Sequence, residues 1–139
     1  MTLTGQGTKT MTNGDWYRGY FNNGALFGSG KFTTENFQNE KQSVTIEGNF
    51  QNSSPSGQCT LTTASRKFTG FMVDFIFTRD ITIEYQEGER QAMMVYEGTV
   101  KGLLRHGKGK VTCEGQVFYE GDWMHDKRHG KAIVYDIKT

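Results

Sequence analysis

The chain has 139 residues, enough for one domain of ordinary size, with a hydrophobic share of only 35% and 18 glycines against a single proline, Pro55. Ten Phe, six Tyr and two Trp supply much of the apolar surface, which suits thin sheets with rings lying over glycines better than a thick aliphatic core. A net charge of +1 excludes the strong positive field of a dedicated nucleic-acid binder.

In chain order, Met1-Thr2-Leu3-Thr4-Gly5-Gln6 has neither a basic start nor an apolar run, so no signal peptide is expected. Nor does any stretch approach the roughly 18 apolar residues of a membrane span. Two later segments align without gaps: Tyr96-Glu97-Gly98-Thr99-Val100 leading to Arg105-His106-Gly107-Lys108-Gly109, and Tyr119-Glu120-Gly121-Asp122-Trp123 leading to Arg128-His129-Gly130-Lys131-Ala132. With the first aromatic as slot zero, glycine fills slot two, an apolar residue slot four, and small residues slots eleven and thirteen.

That template reads along the chain. Residues 3–14 match the tail of a repeat through Gly5 and Gly7. Tyr17, Gly19, Phe21, Gly28 and Gly30 form a full copy at 17–30. Ile46, Gly48, Phe50, Gly57 and Cys59 form another at 46–59. Phe68, Gly70 and Met72 open a degenerate copy at 68–81, whose second half has lost its glycines and is expected to be irregular. The copies at 96–109 and 119–132 complete five. The longer spacings fall in Thr33 to Ser43 and Asp80 to Gln91, which read as lengthened loops or an added hairpin.

Each copy reads as two short strands, with slots zero, two and four on one face by strand alternation. Pairing slot two with slot eleven would place slot nine opposite slot four and a glycine across from each slot-zero ring. The odd slots carry Arg18, Glu97, Thr99, Glu120 and Asp122, and His106, Lys108, His129 and Lys131 join them on a polar outer face. The predicted fold is all-β: an elongated single-layer antiparallel sheet of tandem β-hairpins, as one domain over 1–139. A ring stripe on such a sheet needs a cover, which makes it the expected docking face.

The aromatic-x-Gly starts and Gly-x-Gly tails resemble the MORN repeat family. That resemblance implies antiparallel ribbons serving as scaffolds near cytoskeleton or membranes, with a helical segment able to lie along the aromatic face. The expected function is therefore a non-catalytic protein–protein scaffold in a larger intracellular assembly, cytoskeletal or ciliary, located in the cytoplasm. Its partner contacts would be Tyr17, Phe21, Phe50, Phe68, Tyr96, Tyr119 and Trp123. The structural glycines would be Gly19, Gly28, Gly30, Gly48, Gly57, Gly70, Gly98, Gly107, Gly109, Gly121 and Gly130. The expected partner is a helical or extended protein segment, and a second copy of the chain is a further option. The alternative is a peripheral membrane module whose basic C-terminal face, with Lys101, Arg105, Lys108, Lys110, Lys127, Arg128 and Lys131, meets anionic lipid.

Sharper chemistry fits less well. His106 and His129 hold equivalent slots on successive hairpins, about 10 Å apart, too far to share a metal. The Gly-x-Gly pairs lack the third glycine and following helix of a nucleotide site. Cys113 stands in a strand with no spacing that implies a partner, and Cys59 and Cys113 form no disulfide framework. No cofactor, metal or enzyme activity is expected.

Overall fold

The computed structural model describes residues 3–39, 41–85 and 94–134. Among them the chain forms twelve strands and one short 3-10 turn, Phe37–Asn39. It divides into two compact units, Met1–Ala64 with Phe71–Ile76, and Ser65–Gly70 with Phe77–Thr139.

In the first unit β1 (Gly5–Thr10), β2 (Trp16–Asn22), β3 (Ala25–Thr34), β4 (Val44–Gln51) and β5 (Ser54–Thr62) pair in that order, each antiparallel to its neighbour. β6 (Arg66–Val73) leads through a turn to β7 (Ile76–Phe77). In the second unit the Arg66–Thr69 part of β6 pairs with β8 (Ile81–Tyr85). From there β9 (Met94–Lys101), β10 (Leu104–Cys113), β11 (Gln116–Met124) and β12 (Lys127–Val134) continue the antiparallel ladder. The fold is thus all-β, made of open antiparallel hairpin ladders.

The turns explain why the sequence folds here. In four of the five copies slots six and seven are Asn23-Gly24, Asn52-Ser53, Asp74-Phe75 and His125-Asp126, and all eight residues take positive φ; in the copy at 96–109 they are Gly102-Leu103, where only Gly102 does. Two consecutive left-handed residues match the twist of the flanking strands, and Asn, Asp and Gly tolerate them best. Phe75, at φ 66, is the costly member. Its ring packs edge-on against Phe32 at 5.4 Å, which helps to hold it there.

The register holds at slot four and departs from the expected one beyond it: slot zero faces slot fifteen, as in Tyr17↔Phe32, Tyr96↔Val111 and Tyr119↔Val134, rather than the small residue of slot thirteen. Slot four does face slot nine: Phe21↔Leu26, Phe50↔Pro55, Val100↔Arg105 and Trp123↔Arg128. Slot two, however, faces slot thirteen rather than eleven, as in Gly19↔Gly30, Gly48↔Cys59, Gly98↔Gly109 and Gly121↔Ala132. A bulge between these anchors absorbs the extra residues. Its slot-eleven glycines, Gly28, Gly57, Gly107 and Gly130, have φ of 77, 108, 86 and 67. These glycines are therefore kept for backbone conformation rather than as a floor for rings.

The degenerate copy keeps this register at its base, with Phe68↔Ile83 in the slot-zero to slot-fifteen pairing. Where the other copies hold the bulge glycine it has Arg79. Strand structure stops over 78–80, splitting the return strand into β7 and β8. The irregularity expected in this copy is thus a break at one slot. Of the two longer spacings, the first holds the end of β3 and the 3-10 turn. The second begins with β8, which completes the third copy, and its remainder over 86–91 lies outside the described residues.

Candidate functional site

The slot-zero and slot-four side chains are the core. Phe21, Ile46 and Phe50 are buried in the first unit, and Phe68, Tyr96, Tyr119 and Trp123 in the second. Tyr17 is half-buried, with its ring 4.6 Å from that of Phe32. Burial of this order moves the seven rings expected to meet a partner into the packing of the units themselves. A partner approaching the folded chain finds other side chains first.

How the rings are shut in is clearest in the second unit. Trp123 stands edge-on to both Tyr96 and Tyr119, at 5.6 and 5.0 Å between centroids. The polar atom of each of these three rings has a backbone acceptor: Tyr96 Oη donates to Thr99 O at 2.7 Å, Tyr119 Oη to Asp122 O at 2.9 Å, and Trp123 Nε1 to Gly109 O at 3.3 Å. Burial pushes the Tyr96 hydroxyl up to about 12. A methyl group on Gly109 would collide with the Tyr96 ring. The ring-over-glycine arrangement expected of every copy holds there. At Gly19 and Gly30 the space belongs to Leu26, at Gly48 to Cys59 and at Gly121 to Ala132.

Successive copies are joined by a recurring staple. The slot-nine carbonyl accepts from the slot-seven N–H of the next copy: Leu3 O from Gly24 N at 2.8 Å, Leu26 O from Ser53 N at 3.0 Å, and Arg105 O from Asp126 N at 2.9 Å. At Arg105 side chains reinforce it. The guanidinium donates from Nε to Asp126 Oδ1 at 2.6 Å and from Nη2 to Asp126 O at 3.0 Å, and lies 4.2 Å from the Trp123 ring centroid. Sequence reasoning grouped Arg105 with the surface cations; its partner, a turn acid twenty-one positions away, carries no local signal.

Outside the ring face, the second unit holds a groove of about 650 Å³. It overlies the backbone of a row brought into line by the register: Ile81, then the small residues Gly98, Gly109, Gly121 and Ala132, one per strand from β8 to β12. Side chains of opposite parity line it. One row runs Thr82, Glu97, Lys110, Glu120, Ile133; Asp80, Lys108 and Lys131 flank the floor on the other side. Lys110 has Glu97 and Glu120 as its direct cross-strand neighbours, an arrangement of alternating sign that stabilises a ladder. Lys108 Nζ reaches Asp122 Oδ1 at 3.1 Å. The lining holds three lysines (108, 110, 131) and three acids (80, 97, 120), so its formal charge is 3 − 3 = 0.

His106 and His129 do not meet. His106 instead neighbours His125, with ring centroids 5.3 Å apart, and its Nδ1 accepts from the His125 backbone N–H at 3.4 Å. Among the described residues no three His, Cys, Asp or Glu side chains cluster closely enough to hold a metal. Cys59 is buried and burial raises its thiol pKa, the opposite of an activated nucleophile. Among the described residues no helix is long and apolar enough to cross a membrane.

No curated protein matches the chain. The family model of the MORN repeat matches three segments, residues 17–37, 96–116 and 119–134. The copies beginning at Ile46 and Phe68 lie outside those matches but share their strand register. MORN repeats are in general modules of protein or membrane interaction. The slot pattern recurs in the ladders of both units, and at those three segments the chain carries MORN repeats.

Proposed function

We propose that the chain is a non-catalytic scaffold that holds a protein segment along the glycine-floored groove of its second unit. The observation that supports this reading is the groove's form. The backbone of five aligned positions, whose side-chain directions turn to the ring face, floors an open trough between polar rows, while the rings on the opposite face are already buried. Four strand intervals span about 19 Å. That length suits about 13 residues of helix or about 6 residues of extended chain. A lining of balanced charge favours a segment that itself carries both signs, and pairing of charges across the groove would set its register. We place the scaffold in the cytoplasm, within a larger assembly of the cytoskeletal or ciliary kind that the MORN repeat suggests.

Contact with anionic lipid draws less support from this groove, because three acids stand among its lysines. Glu97, Lys110 and Glu120 lie in strands on the polar side, so reversing their charges leaves the core untouched. The test is capture from a native extract by the full chain, compared with Lys110→Glu and with Glu97→Lys/Glu120→Lys. The reading expects one defined protein to be lost in both variants and retained at moderate salt. Capture indifferent to both variants would overturn it. Binding to phosphatidylserine vesicles that the acid-to-lysine variant strengthens, with no protein retained, would transfer the function to membranes.

A further inference from the structure

The ladder between successive copies follows one rule. Slot fifteen of one copy faces slot zero of the next, slot thirteen faces slot two, and slot eleven faces slot four, as in Val111↔Tyr119, Gly109↔Gly121 and Gly107↔Trp123. The slot-seven turn residue then staples back to slot nine, as Asp126 does to Arg105.

β12 is a chemical copy of β10. It carries Arg128, Gly130, Lys131, Ala132 and Val134 where β10 carries Arg105, Gly107, Lys108, Gly109 and Val111. β10 is flanked on both sides, and the strand laid on its far edge, β11 with its turn, brings Asp122 and Asp126 to those cations. Among the described residues β12 is paired only with β11, and all eight of its residues are exposed. Val111 is buried under the next copy, whereas Val134 is 59% exposed. Arg128 rests on the rings of Phe118 and Tyr119, at 4.9 and 4.7 Å from their centroids, and among the described residues no counterpart of Asp126 or Trp123 lies beyond it. The edge carries Lys127, Arg128 and Lys131 and no acid, so an identical strand from a second copy would set like charges against each other.

We propose that the outer edge of β12 accepts an antiparallel acidic strand of another protein, with an aromatic residue opposite Val134, a small residue opposite Ala132, and an acid seven positions after the aromatic that closes on Arg128. This is strand addition with side-chain specificity supplied by the repeat's own rule. It is independent of what occupies the groove.

The probe is a fluorescently tagged synthetic peptide copying Gln116–Asp126, added to the full chain and followed by anisotropy. The proposal expects saturable binding. It expects about tenfold weaker binding on Arg128→Glu, and a similar loss when the peptide's last residue is Asn in place of Asp. Lys101→Glu, in the β9–β10 hairpin, should leave the affinity unchanged and serves as the charge control. Circular dichroism of Arg128→Glu should match the parent, since the side chain is exposed. Absence of saturable binding, or binding indifferent to Arg128→Glu, would overturn the proposal. So would sedimentation showing two chains pairing through this edge and excluding the peptide.

Discussion

At the scale of single residues, glycines that look alike in sequence do different work. Gly28 has φ of 77 and open space where a side chain would go, so Gly28→Ala should cost only backbone strain, about 1–2 kcal/mol. Gly109 has ordinary φ, but a methyl there would enter the Tyr96 ring. Gly109→Ala should cost about 3 kcal/mol through overpacking. Urea unfolding of the two variants separates these mechanisms, because Asn in place of Gly28 should recover part of the loss and Asn in place of Gly109 none. Tyr96 adds a pH signature. Its folded pKa of about 12 lies above the ordinary 10.0, so the protonated, folded form is favoured. That contribution is complete below about pH 10 and is lost as pH climbs towards 12. Tyr96→Phe should flatten the fall in urea midpoint across this window. A residue of the fall should remain, because burial also raises the pKa of Tyr17.

At the scale of elements, the joint between copies is the informative unit. Arg105 and Asp126 are 18% and 35% exposed in their side chains, bonded to each other, with the guanidinium over Trp123. Removing either leaves a charge with less than its native set of partners, and a double-mutant cycle of Arg105→Ala and Asp126→Ala should show a coupling of about 1–2 kcal/mol. A coupling near zero would mean that the backbone staple alone holds the joint. Trp123→Ala should be worse, about 3–5 kcal/mol, because it empties the space between two tyrosines. Hairpins and turns were legible in the sequence because each depends on residues within a few positions. The bulge was not, because a slot-eleven glycine reads the same whether it faces a ring or bends the backbone. Only cross-strand register tells them apart. The same reason hid the break at Arg79, where the expectation could name the region but not the slot.

At the scale of the whole molecule, the sequence identified two faces and assigned the open one by hydrophobicity. Alternation placed Glu97, Glu120, Lys108 and Lys131 together on the polar face. The groove between them was invisible, since it arises from cross-strand registers that align five positions across five strands. The rings went inside because a folded chain buries its own large apolar surface before offering any to a partner; Tyr96 and Phe68 retain no exposure at all. The polar face accordingly carries the proposed function.

That division of faces can be measured without a partner. The chain has two tryptophans, Trp16 and Trp123, of which Trp16 is half-exposed and Trp123 only 5% exposed. In the Trp16→Phe variant all indole fluorescence reports on Trp123. A buried ring face predicts blue-shifted emission with acrylamide quenching several-fold weaker than for free indole. Red-shifted emission that acrylamide quenches freely would mean the rings face solvent, and the claim that they form the core would be wrong.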